Sequence, residues 1–101
     1  MEDHKESAIE YLKNAVKYNP EFKEAYLLLG KILYERGDYN QAKEYLKKAY
    51  EMYTEKKSQA VYLLGLAYSY SGDKDTAIRY YKELRQLDSN LADKLFESIF
   101  N

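Results

Sequence analysis

Apolar residues recur along this chain at intervals of three and four, the spacing of one face of an α-helix. Ala8, Ile9, Tyr11, Leu12, Ala15 and Val16 predict a first helix over residues 7–18. Asn19-Pro20 ends it, because proline cannot continue a helix but is suited to begin one. A second helix, about 21–36, places Tyr26, Leu29, Gly30 and Leu33 on one face with Ala25 and Ile32 beside them. Gly37 is the expected left-handed stop. Asp38 is the expected cap of the next helix, with Gln41 at capping-box distance. That third helix carries Tyr39, Ala42, Tyr45, Leu46, Ala49, Tyr50 and Tyr53, and residues 54–57 form a polar connection. A fourth helix spans 58–70. Gly72-Asp73 then repeats the stop and cap, and a fifth helix turns Ala77, Ile78, Tyr81 and Leu84 inward. Asp88-Ser89 opens a last helix running to about residue 100.

The pattern repeats. Leu29-Gly30 aligns with Leu64-Gly65, Gly37-Asp38 with Gly72-Asp73 and Ala42 with Ala77, always 35 residues apart. A fixed period of this size signals stacked supersecondary units, none of which can bury its apolar face alone. Gly30 and Gly65 sit inside helices, where glycine costs about 1 kcal/mol relative to alanine. A neighbouring helix crossing closely at that point would explain both.

Tyr26, Leu29, Gly30, Leu33, Gly37, Asp38, Ala42, Leu46 and Ala49 together resemble the tetratricopeptide repeat. A second copy reads Val61, Leu64, Gly65, Tyr68, Gly72, Asp73, Ala77, Tyr81 and Leu84. Ala8, Leu12 and Ala15 match the second half of an earlier copy, and Pro20 stands where the family places its closing proline. The resemblance implies an all-α helical-hairpin solenoid of six helices. Its parts are a half-repeat helix over 1–19, full repeats over 20–54 and 55–88, and a terminal helix over 89–101. The copies depart from the family pattern at Lys74 and Leu84, and Thr54 and Ser89 replace the closing proline.

Composition narrows the chemistry. Net charge is −1 with 33% charged residues, which gives no positive field for nucleic acid, and no apolar run approaches a membrane span. Neither a nucleic-acid partner nor membrane insertion is therefore expected. The segment MEDHKESAIE lacks the apolar core of a secretory signal, which favours a cytoplasmic location, with the compartment otherwise undetermined. Cysteine is absent and His4 is the one histidine, so neither a common zinc site nor a histidine-based nucleophile is expected. Asp73 and Asp75 read as cap and first-turn residues rather than metal ligands. Lys47-Lys48 and Lys56-Lys57 alternate with glutamates as a solvated face. Gly30 and Gly65 lack the run of a phosphate loop. The reading is non-enzymatic, without catalytic residues, metal or cofactor. Thirteen tyrosines against three phenylalanines suit thin helical layers, in which rings are buried while hydroxyls stay wet.

In the family, the first helix of each repeat lines a concave groove that holds a peptide or helix of a partner protein. The matching positions here are Glu24, Leu27, Lys31, Tyr34 and Glu35, then Gln59, Tyr62, Leu66, Ser69 and Tyr70. Leu27, Tyr62 and Leu66 stand where a carboxylate clamp would place basic residues and asparagine, so the expectation is a Leu/Tyr-lined groove in an adaptor. The alternative is a self-assembly module, such as a homodimer. The first helix looks like half a repeat, and the last carries Leu91, Ala92, Leu95, Phe96, Ile99 and Phe100 in a stripe wider than one neighbour needs. Ile9, Leu12, Phe96 and Phe100 are the candidate self-association residues. Three arrangements are open: further repeats beyond the ends, the last helix folding into the groove, or two chains stacking or swapping.

Overall fold

The computed structural model describes residues 4–101. The first three residues of the expected half-repeat lie outside the described ones. The described residues form six helices and no strand: α1 His4–Tyr18, α2 Lys23–Glu35, α3 Tyr39–Met52, α4 Ser58–Tyr70, α5 Lys74–Leu87 and α6 Ser89–Phe100. The periodicity therefore located every element. The largest shifts are an earlier start of α1 and a later start of α2. Between those two helices the Asn19 side chain accepts from the Glu21 amide at 3.3 Å and the Asn19 carbonyl from the Phe22 amide at 3.1 Å. This turn delays α2 until the chain has rounded Pro20.

Both hairpin turns use glycine as expected. Gly37 and Gly72 hold φ of 86° and 97°, a region that favours a residue without Cβ. The following amides, Asp38 and Asp73, close back onto Leu33 and Tyr68 carbonyls at 2.9 Å, so each helix ends in a Schellman turn. The caps differ. Asp73 accepts from the Thr76 amide at 3.1 Å and from the Thr76 hydroxyl at 2.7 Å. Asp38 makes no side-chain cap bond, contrary to the expected box with Gln41; its carboxylate stands 3.6 Å from the Arg36 guanidinium instead. Gln41 is exposed and has no hydroxyl to hold the carboxylate over the helix end, as Thr76 does. Asp88 caps α6 through the Leu91 amide at 3.1 Å.

The helices stack in chain order into a slab of 34 × 33 × 20 Å, its thickness that of two helix layers. One layer holds α2, α4 and α6; the other holds α1, α3 and α5. Each helix packs on its sequence neighbours, and α2–α4–α6 also pack in succession along their own layer. The α1–α3–α5 layer has no comparable backbone approach. Its α3 and α5 are bridged by long side chains: the Tyr50 hydroxyl of α3 donates to Glu83 of α5 at 2.7 Å, and the Tyr50 and Tyr80 rings meet edge to face at 5.5 Å. Closer helices on one side and tyrosine-spaced helices on the other curve the stack.

Glycine permits close approach both between the layers and along the tight one. A Cβ at Gly30 would stand 2.5 Å from Leu46 of α3, and one at Gly65 would stand 2.6 Å from Leu95 of α6. The core runs through all six helices, with Leu29, Leu33, Leu46, Leu64, Leu84 and Leu95 fully buried, and among the described residues it contains no charged side chain.

Candidate interaction groove

The exposed face of the α2–α4–α6 layer carries two clefts. The first, 250 Å³, lies between α2 and α4. Leu27, Leu28 and Leu63 form its apolar wall, Tyr53 from the end of α3 closes one side, and Glu24, Lys31 and Gln59 rim it. Leu28 is 47% exposed, a large aliphatic side chain turned toward solvent. Lys23 lies with Nζ 4.9 Å from the Tyr53 ring centre, a cation–π contact that holds the ring at the rim. Burial, and then the charge of Glu24, raise the Tyr53 hydroxyl above its ordinary pKa, so the rim offers a protonated phenol at neutral pH.

The second cleft, 580 Å³, lies between α4 and α6. Tyr62 and Tyr70 face Lys94, Glu97, Ser98 and Asn101 across it, so this half of the groove is polar and carries both charges. Next to it Tyr34, Tyr39 and Tyr70 pack as a triangle of rings, 5.6 to 5.8 Å between centres. These rings come from three different helices and tie the two repeats together at their turn ends. Burial pushes the Tyr34 hydroxyl up to about 12, reinforced by Tyr70, Tyr62 and Tyr39. Tyr62 is raised by burial and by Tyr70. The hydroxyls therefore remain neutral hydrogen-bonding groups throughout the physiological range.

The groove residues expected from sequence divide between these clefts. Glu24, Leu27 and Lys31 line the first; Tyr62 and Tyr70 line the second, with Tyr34 beside them. Leu66 does not reach the surface: at 4% exposure it belongs to the core, because α4 is packed on both flanks and α2 on fewer. Ile9 and Leu12, expected as self-association residues, are likewise buried, at 4% and 7%, where α1 packs on α2. Phe96 and Phe100 remain 45% and 52% exposed. The last helix does not fold into the groove but extends it as a third lining helix. Repeat register does not assign Leu28, Leu63 and Tyr53 to the groove, although the run Leu27-Leu28-Leu29 signals a stripe wider than one buried face. Nor does it assign Lys94, Glu97 and Ser98. Their signal was the spacing of Ala92, Leu95 and Ile99, which copies Tyr26, Leu29 and Leu33.

Two-helix units stacked in register, with a continuous face of first helices, define a helical-repeat solenoid. The tetratricopeptide repeat family model matches residues 6–64, and a second tetratricopeptide repeat model matches residues 59–91. The chain belongs to the tetratricopeptide repeat family, whose members generally mediate protein–protein interaction and are typically non-catalytic. No curated protein matches the chain. No described helix is long and apolar enough to cross a membrane, and the described residues contain no group of three or more potential ligands placed to hold a metal.

Proposed function

We propose that this chain is a non-catalytic adaptor that binds a peptide or helix of another protein along the α2–α4–α6 face. The observation that carries this reading is the α2–α4 cleft, where Leu27 and the half-exposed Leu28 form an apolar wall inside a rim of Glu24, Lys31 and Gln59. A cleft of 250 Å³ suits one aliphatic or aromatic anchor of an amphipathic segment, and the rim suits its polar flank. The polar α4–α6 cleft then takes the continuation of the same segment by hydrogen bonds from Tyr62, Tyr70, Ser98 and Asn101. The adaptor's partner is protein, with no nucleic acid, cofactor or substrate required.

Panning a displayed library of amphipathic peptides against the protein tests this. Enrichment of sequences with apolar anchors three or four residues apart is expected, with roughly tenfold or greater loss of affinity in Leu28→Glu. Leu28 is the proper probe, since its truncation spares the core; Leu66→Ala would remove a buried side chain and confound binding with stability. Absence of enrichment, or affinity indifferent to Leu28→Glu and to Tyr62→Ala, would sink the reading.

A further inference from the structure

The outward end of α6 carries a second apolar surface, remote from the α2–α4 cleft in chain and in composition. Phe96 packs on Phe100 at 4.7 Å and on Tyr81 of α5 at 5.5 Å, and the Arg85 guanidinium lies 5.9 Å from the Tyr81 ring centre. Both phenylalanines are about half exposed. Asp93 precedes Phe96 by three positions and Phe100 by seven, which places it on the same helix face. Among the described residues neither Arg85 nor Asp93 has an ion-pair partner.

Position within the helices shows what this face accepts. Gly30 is the eighth residue of α2, Gly65 the eighth of α4, and Phe96 the eighth of α6. At Gly30 a single added carbon would already collide with Leu46 of α3, and at Gly65 with Leu95 of α6, so at this position a neighbouring helix seats against bare backbone. A benzyl group at the same place on α6 prevents any helix from seating as α3 seats on α2. The other end offers no matching surface either. The apolar face of α1 is spent on α2, and its outward Tyr11 and Tyr18 are isolated in solvent at 74% and 86% exposure. Head-to-tail completion of a repeat, α1 of one copy on α6 of another, is thus obstructed on both sides.

We propose that the Tyr81–Phe96–Phe100 face is an isologous contact, in which two copies of this chain pair about a twofold axis with α6 against α6. A twofold contact sets a surface against itself, so it needs both charges on its rim, and Arg85 and Asp93 provide them. A rim of one sign would repel its own copy. Three rings and two rim charges make a weak rather than an obligate contact, so pairing is expected at protein concentrations on the order of 0.1 mM. This inference does not rest on groove binding, and each can fail without the other.

Sedimentation equilibrium over a wide concentration range tests it. Wild type should pass from monomer to dimer and stop there, since a twofold contact closes. Asp93→Arg, which gives the rim one sign and spares the core, should weaken dimerisation at least tenfold, and Phe96→Ser with Phe100→Ser should abolish it with helicity retained. Tyr11→Ser with Tyr18→Ser should leave it unchanged. A monomer at every concentration overturns the proposal, as do assemblies larger than a dimer or dimers lost in the α1 variant.

Discussion

At the scale of single residues, the two helical glycines show how a local penalty is exchanged for packing. Helix propensity by itself says that Gly30→Ala should stabilise α2 by about 1 kcal/mol. Tertiary packing reverses the sign, because the new methyl carbon would meet Leu46 at 2.5 Å and also approach its backbone nitrogen at 3.3 Å. Overpacking of this kind costs about 1–3 kcal/mol, so we expect Gly30→Ala to be destabilising or at best neutral by urea denaturation. A gain of the full propensity value would show that α2 and α3 do not cross this closely. The glycine itself was readable from sequence, as was the inference that something crosses there. Which helix crosses was not readable, since Gly30 meets α3 whereas the matching Gly65 meets α6.

Among the helices, the two aspartates that follow the glycine stops look equivalent on paper and differ in space. Thr76 donates to Asp73 through both hydroxyl and amide, and these bonds hold the Asp73 carboxyl below its ordinary pKa of 3.8. Asp38 has Gln41 at the same offset and no cap bond. Asp73→Ala is therefore expected to lower Tm by roughly 4 °C near neutral pH, and Asp38→Ala to leave it almost unchanged. The acid dependence carries a definite sign. A carboxyl with a depressed folded-state pKa contributes stability above its unfolded value and loses it as pH falls through the folded one. Thermal melts from pH 6 down to pH 3 should thus show a smaller acid loss in Asp73→Ala than in wild type. Equal losses in the two would detach the cap from the titration. Helix α6 makes a further point at this scale. Its apolar spacing identified it as a helix, but its role as a third lining helix of the groove follows from its contact with α4 as well as α5.

For the whole molecule, tyrosine is the residue that sets the behaviour. Burial raises Tyr34 and Tyr50 to about 12, the latter also through its bond to Glu83. Burial likewise raises Tyr53, Tyr62 and Tyr80. An unfolded chain releases these protons near pH 10, while the folded chain retains them, so rising pH favours unfolding. Stability should fall steeply between about pH 10 and pH 12. Tyr34→Phe and Tyr50→Phe should each flatten that fall, as followed by denaturant midpoints together with tyrosinate absorbance. A stability curve flat across this window would mean that the ring clusters are open to water. These clusters also join the repeats, Tyr34, Tyr39 and Tyr70 on one side and Tyr50, Tyr68 and Tyr80 on the other, so alkaline unfolding should be cooperative across both repeats.

The sequence by itself determined the helices, their hairpin turns, the 35-residue repeat and the family, because periodicity, glycine stops and capping residues act within one or two turns of chain. It also named most of the groove face, since a residue's place in a repeat follows from its register. Tertiary structure decided which registered positions stay in water. Leu28 and Leu63 hold the same place in the two repeats, yet one is open and the other buried, because α4 is flanked on both sides of its layer and α2 is not. It decided equally that Ile9 and Leu12 face inward while Phe96 and Phe100 face out. Exposure is a property of neighbours, and neighbours distant in the chain are set by how the helices stack.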